Sequence, residues 1–258
     1  MDAATSSDGT LIAYEQRGEG PTVVIVNGAL SLAADARGIA DALIDAGFRA
    51  VTWDRRARGS SGDKRGSTPE DEAADLAAVI DAVGGDAVVL GHSSGAVLAL
   101  FAASLGVPVR SLFLSEPPLR FGVDEPAADL VDRLQRLVDE GLGEETVETF
   151  QLEVIGIPRE MVDAGRASGE LAGLAPLAQS TVYDLLLTTQ VSVPTPEMRA
   201  VTQPVTVLRG AQTFPMLITG SDRLAEAIPH AELVVVPESV MHRLDPVATA
   251  RVVRERVA

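Results

Sequence analysis

The sequence predicts an α/β fold: a mostly parallel central sheet covered by helices on both faces, with a helical segment inserted into it. Three observations predict this. Short β-branched runs alternate with helical stretches through residue 118 and again from about residue 201. Several of these runs are continuously apolar, which suits strands buried on both faces. Between 119 and 200 the alternation stops and helix-like segments follow one another.

Taken in order, TLIAYEQRG (10–18) alternates like a half-exposed strand, and TVVIVNG (22–28) is a continuous apolar strand ending at Gly28. LAADARGIADALIDAG (32–47) has helical spacing and a glycine stop, and RAVTWD (49–54) is the next strand. TPEDEAADLAAVIDAVGG (68–85) is a helix, with Thr68 as N-cap, Pro69 in the first turn and Gly84-Gly85 to end it. DAVVLG (86–91) is a strand; SGAVLALFAASLG (94–106) is a helix apolar on every side and therefore buried. VRSLFLSEPP (109–118) is a strand closed by two prolines. Four helical segments then span roughly 124–140, 143–155, 158–167 and 170–190. A strand at 204–210, a helix near 221–228, a strand at 231–238 and a last helix from about Pro246 complete the chain. This divides it into a core, 1–118 and 201–258, and a helical cap, 119–200.

Composition narrows the function. The 258 residues are 46% hydrophobic and 22% charged, a globular profile, with a formal net charge of −16. That charge argues against nucleic acid, whose phosphates need a cationic face, and against acidic membranes. There is no cysteine, hence no disulfide, thiolate metal site or cysteine nucleophile. The N-terminal MDAATSSDGT has neither the basic nor the apolar region of a signal peptide, and no run approaches the roughly 18 apolar residues of a membrane helix, so a cytoplasmic location is expected. The histidines lack a ligand spacing, and the glycine runs lack phosphate-binding chemistry, so no metal or cofactor is expected. The expected partner is a small-molecule substrate; oligomeric state is not legible.

Gly91-His92-Ser93-Ser94-Gly95 fits G-x-S-x-G. It follows a buried strand and opens a buried helix, the strand–turn–helix setting of a nucleophile elbow. A serine on so sharp a turn is strained, and bulky neighbours would collide, which explains the flanking glycines. The helix start supplies free N–H groups and the positive dipole end for a developing oxyanion. The competing reading is a serine that merely caps the helix.

The segments VVIVNGAL, WDRRARGSSGD, GHSSG, FLSEPP, PVTVLRG and VPESVMHRLDP together resemble the α/β-hydrolase superfamily, in the serine-nucleophile group with a helical cap inserted after the sixth strand. The resemblance implies Ser93 as nucleophile and His242, after the last strand, as its base. His92, next to the serine, is expected to point away into packing, and His230 to be solvated. In most relatives a glycine after the seventh strand is followed three residues later by aspartate; here Gly210 is followed by Thr213. The other placement known in the superfamily, directly after the sixth strand, holds Glu116. Glu116 is therefore the expected acid, with Asp222 in reserve. The resemblance implies an oxyanion hole from the backbone N–H groups of Ala29 and Ser94, with Asn27 where many relatives carry histidine. Within WDRRARGSSGD, Asp54 is expected to tie down Arg55 or Arg56 as architecture rather than catalysis.

These residues imply a serine hydrolase acting through an acyl-serine on a small-to-medium, mostly apolar ester, thioester or lactone. Two alternatives stay open. One is the same site with altered chemistry, such as C–C hydrolysis, cyclisation or a perhydrolase-like activity. The other is a ligand-binding protein that has kept the fold without turnover.

Overall fold

The computed structural model describes residues 1–257. Eight strands form one sheet: β1 (Asp2–Thr5), β2 (Leu11–Arg17), β3 (Thr22–Val26), β4 (Arg49–Trp53), β5 (Ala87–His92), β6 (Val109–Ser115), β7 (Val205–Gln212) and β8 (Glu232–Val240), in the spatial order β1-β2-β4-β3-β5-β6-β7-β8. β1–β2 and β2–β4 are antiparallel, and the five remaining neighbouring pairs are parallel. β3 is buried along its whole length, as its unbroken apolar run requires.

Because successive residues of a strand face opposite ways, the sheet divides its side chains between two cores. Val24, Val26, Val89, Leu112, Leu114 and Val207 pack on one face with α2 (Pro69–Ala82) and α3 (Ser94–Ser104). Val23, Ile25, Val88, Leu90, Phe113 and Leu208 pack on the other with α1 (Arg37–Asp45) and the C-terminal helix, Pro246–Val257. α2 begins as expected: Thr68 Oγ1 accepts from Asp71 N–H at 3.3 Å while Asp71 Oδ2 accepts from Thr68 N–H at 2.9 Å. α3 is buried from Ser94 through Ala103, matching its all-round apolar sequence.

Between β6 and β7 the chain is helical: α4 (Leu130–Asp139), α5 (Gly143–Phe150) running into a π turn at Gln151–Ile155, α6 (Arg159–Ser168), α7 (Glu170–Leu174), α8 (Ala178–Gln190) and α9 (Pro196–Arg199). This inserted region has its own small cores. Leu130, Leu134, Phe150, Val182 and Leu185 form one, and Val147, Val162 and Leu171 another; Leu30 of the loop after β3 packs against both. Two more helices complete the α set, α10 (Pro215–Ala227) and α11, the C-terminal helix already described.

Several elements differ from expectation: in the inserted region α4 starts at Leu130 rather than near 124, the 170–190 segment is divided into α7 and α8 by a 3-10 turn at Ala175–Leu177, and α9 is additional. β1 is an additional edge strand. α10 begins at Pro215, six residues before the expected start near 221, because Pro215 supplies a preset first helical turn. The 32–47 segment opens with a 3-10 turn, Ala33–Ala36, before α1. Among the described residues no helix is long and apolar enough to cross a membrane.

Candidate active site

Ser93 sits between the end of β5 and the start of α3 with φ 55° and ψ −128°. Such a backbone costs about 1–3 kcal/mol and persists only where the surroundings enforce it. They do so through close packing. A Cβ on Gly28 would stand 2.8 Å from Ser93 Cβ, and one on Gly91 would stand 2.5 Å from Ala96 Cα. One on Gly95 would collide with the Val26 carbonyl. Ser93 N–H donates to the Ser115 carbonyl at 2.9 Å, tying the turn to the end of β6. The Ser93 side chain makes no capping bond to α3, so the cap reading does not describe it.

Glu116, the first residue after β6, is 3% exposed with φ 47°. Its Oε1 accepts from Gly210 N–H at 2.9 Å, and its Oε2 accepts from Thr213 Oγ1 at 3.1 Å. Oε2 also stands 2.5 Å from His242 Nδ1. Burial alone would raise the Glu116 pKa; the bonds from His242, Gly210 and Thr213 outweigh it and hold the carboxyl below its ordinary value. Asp222, the reserve acid, is bound to Arg209 Nε at 2.6 Å. The structure thus brings His242 to Glu116, with Thr213 donating to that carboxylate.

His92 does pack, and what it packs against is His242: the ring centroids are 4.6 Å apart at an interplanar angle of 32°. His242 therefore stands beside the turn that carries Ser93, although no hydrogen bond joins the two among the described residues. Burial, with the neighbouring His242 as a lesser cause, pushes His92 down to about 3. Its Nε2 is buried without a partner. His230, as expected, is exposed, with Nε2 at 2.9 Å from the Gln203 carbonyl. Ligand-type atoms of His92, Glu116 and His242 lie within 4.8 Å of one another. The short Oε2–Nδ1 approach directs two of them at each other rather than at a shared ion.

The loop after β3 carries Ala29, next to Leu30 at φ 56°. Asn27 Nδ2 donates to the Leu32 carbonyl at 2.7 Å and pins this loop. Among the described residues, neither Ala29 N–H nor Ser94 N–H donates to a backbone carbonyl. A cavity of about 270 Å³ opens beside His242, lined by residues including Asn27, Ser31, Asp35, His92 and Arg243.

The expected pairing of Asp54 with Arg55 or Arg56 is not what forms. Asp54 instead accepts from Ala33 N–H at 2.7 Å and Ser60 N–H at 2.9 Å, closing its own loop. Arg56 goes to Asp75 at 2.6 and 2.7 Å. Arg55 goes to Glu72 at 2.7 Å and to Asp184 of α8 at 2.8 Å. A carboxylate that can cap nearby backbone N–H groups satisfies itself locally, and the longer arginines reach past it. Asp184, which the sequence does not single out, also accepts from Arg58 Nη2 at 2.6 Å and from Ser94 Oγ at 2.7 Å.

Residues 23–253 match the alpha/beta hydrolase family. The chain belongs to this family. Among solved structures, this alpha/beta hydrolase is similar over 100% of both chains to an alpha/beta hydrolase from Sphaerobacter thermophilus DSM 20745, at 36% identity and a TM-score of 0.91. A putative non-heme bromoperoxidase, BpoC, from Mycobacterium tuberculosis H37Rv is 22% identical with a TM-score of 0.68, over 95% of this chain and 96% of its own. An enol-lactonase from Burkholderia xenovorans LB400 is 18% identical with a TM-score of 0.68, over 99% and 98%. The last two likenesses establish shared fold. No curated protein sequence matches the chain.

Proposed function

We propose that this alpha/beta hydrolase is a serine hydrolase that cleaves a small-to-medium, mostly apolar carboxylic ester, thioester or lactone. Ser93 is the nucleophile, His242 the general base and Glu116 the acid that orients it. One observation carries the reading: a buried carboxylate lies 2.5 Å from Nδ1 of an imidazole whose ring stacks on the residue preceding Ser93. A proton on Nδ1, held by Glu116, leaves Nε2 as the basic nitrogen.

In the reaction His242 takes the Ser93 hydroxyl proton as Oγ attacks the carbonyl carbon. The oxyanion lies on the N–H groups of Ala29 and Ser94, both free of backbone acceptors. Protonated His242 then gives its proton to the leaving oxygen or sulfur. Water, deprotonated by the same imidazole, releases the acid and restores Ser93. The Ala29 and Leu30 side chains pack against an apolar cap cluster that includes Leu130, Phe150 and Val182, which ties the cap to the loop that carries the Ala29 N–H. A fluorophosphonate probe is expected to label the protein at Ser93, and Ser93→Ala to abolish labelling. Absence of labelling in the folded protein would favour a ligand-binding role.

A further inference from the structure

The buried charges between core and cap touch the Gly28–Ala29 peptide and the Ser94 side chain, at the two places that the serine-hydrolase reading assigns to the oxyanion. Arg58, whose side chain is 0% exposed, donates from Nη1 to the Gly28 carbonyl at 2.6 Å and from Nη2 to Asp184 Oδ2 at 2.6 Å. The other oxygen, Asp184 Oδ1, accepts from Ser94 Oγ at 2.7 Å and from Arg55 Nη1 at 2.8 Å. One carboxylate on cap helix α8 therefore holds Ser94 directly and Gly28 through a single guanidinium.

Peptide geometry gives that second contact its consequence. In a trans peptide the C=O and the following N–H point in opposite directions across a rigid plane. Holding the Gly28 oxygen against Arg58 fixes the Ala29 N–H on the other side. The loop that carries this plane is itself strained, since the next residue but one, Leu30, stands at φ 56°, a conformation disfavoured for a side chain of its size. Loop, elbow and cap are thus bound to the same two charges, and Arg55, Arg58, Glu72 and Asp184 balance to zero. Burial, with repulsion from Arg55 next, presses the Arg58 pKa down and Asp184 opposes it, so the two hold each other in place.

We propose that Arg58 and Asp184 are positioning residues that aim the Ala29 and Ser94 N–H groups at the oxyanion, making transition-state stabilisation depend on the docking of cap helix α8. The inference rests on the serine-hydrolase reading, and the test separates the two. Fluorophosphonate inactivation is measured on the full chain for the wild type, Ser93→Ala, the charge-neutral double variant Arg58→Met/Asp184→Asn, and Arg58→Lys. The double variant removes opposite charges together, and Arg58→Lys keeps the charge while losing the fork that spans Gly28 and Asp184.

Loss of one well-aimed oxyanion donor costs about 10²–10³-fold in rate, and misaiming costs less. The limiting inactivation rate is therefore expected to fall about 10–100-fold in both variants. The probe's dissociation constant should stay within about threefold, and benzeneboronic acid, which forms a tetrahedral adduct on serine, should weaken in step with the rate. A general packing defect would move the dissociation constant as well. If the wild type is not labelled at Ser93, the serine-hydrolase reading fails. If it is labelled and a folded Arg58→Lys or double variant reacts at the wild-type rate, the positioning role is overturned. Should the double variant not fold, Arg58→Lys decides alone.

Discussion

Glu116→Gln is the sharpest perturbation of the site, because the surrounding hydrogen bonds dictate how the amide must lie. Gly210 N–H donates to Oε1 at 2.9 Å in a buried setting and requires an acceptor there. The glutamine carbonyl must take that position, since presenting the amide NH₂ would set two donors against each other at a cost of about 1–3 kcal/mol. The NH₂ then occupies the Oε2 position, 2.5 Å from His242 Nδ1, and Thr213 Oγ1 can turn to accept from it. Facing a donor, Nδ1 must become the acceptor, and the ring proton moves to Nε2. The imidazole that should take the Ser93 proton is locked in the tautomer that cannot. An orienting acid converted to its amide in this way lowers turnover about 10⁴-fold, equivalent to about 5 kcal/mol of barrier. The assay is steady-state turnover of a p-nitrophenyl ester at pH 7, with circular dichroism to confirm the fold. Asp222→Asn, which disturbs only a partly exposed pair with Arg209, is the control and should stay within about threefold. Turnover of Glu116→Gln within tenfold of wild type, or a larger loss in Asp222→Asn, refutes the tautomer argument and the assignment of the acid.

Three other outcomes are expected. His92 titrates at about 3 in the folded protein and near 6.5 when unfolded, so below pH 6.5 the unfolded chain binds more protons and stability falls toward pH 3. Between pH 7 and 5 this amounts to about 2 kcal/mol; urea unfolding should show a pH-dependent drop smaller by that amount in His92→Gln. Equal drops in the two proteins would mean that His92 is not kept neutral by burial. Gly95→Ala should destabilise by about 3 kcal/mol or prevent folding, because the new Cβ meets the Val26 backbone oxygen rather than a side chain that can yield; a thermal midpoint unchanged within error would contradict the packing. Asp75→Asn should cost about 3 kcal/mol by leaving the buried Arg56 with only its longer, 3.3 Å pair to Asp8, and Arg56→Met/Asp75→Leu should recover most of it. Denaturant midpoints of the single and double variants measure both effects.

The strands that place the site were legible because burial on both faces writes itself as unbroken apolar runs; β3 and β5 keep that signal nearly residue for residue. The elbow was legible because close backbone packing admits only glycine at 91 and 95, beside a serine opening an apolar helix. β1 was not legible: four residues on the sheet edge, of which only Ala4 is buried, carry no period. Asp184 was hidden for a different reason. A lone acid in a cap helix reads as a solvated face, and its partner Arg58 lies 126 residues away in sequence. Asp54 misled through proximity, since neighbouring charges in sequence suggest a pair while the backbone N–H groups of Ala33 and Ser60 compete for the same oxygens.

The place of Glu116 follows from the sheet itself. β6 and β7 are parallel neighbours, paired from Leu112–Val205 to Ser115–Leu208, so the chain leaving β6 at Glu116 runs beside Gly210 of the longer β7, which continues to Gln212. The backbone interlocks there, with Glu116 N–H donating to the Leu208 carbonyl at 2.9 Å and the Glu116 carboxylate accepting from Gly210 N–H. A side chain rooted on one strand thus reaches past the end of the next. Glutamate, one methylene longer than aspartate, spans that lateral step and meets His242. Thr213, three residues after Gly210, then has a use that threonine can fill: its hydroxyl donates to the carboxylate and helps keep it ionised. Placing an aspartate at position 213 on its own should therefore impair the site, because two carboxylates within hydrogen-bond distance cannot both stay charged at ordinary cost. In Thr213→Asp/Glu116→Gln the charge is single again, and turnover of the p-nitrophenyl ester should exceed that of Glu116→Gln alone. A double variant no faster than Glu116→Gln would show that the carboxylate must come from β6 and that the two strand ends are not interchangeable.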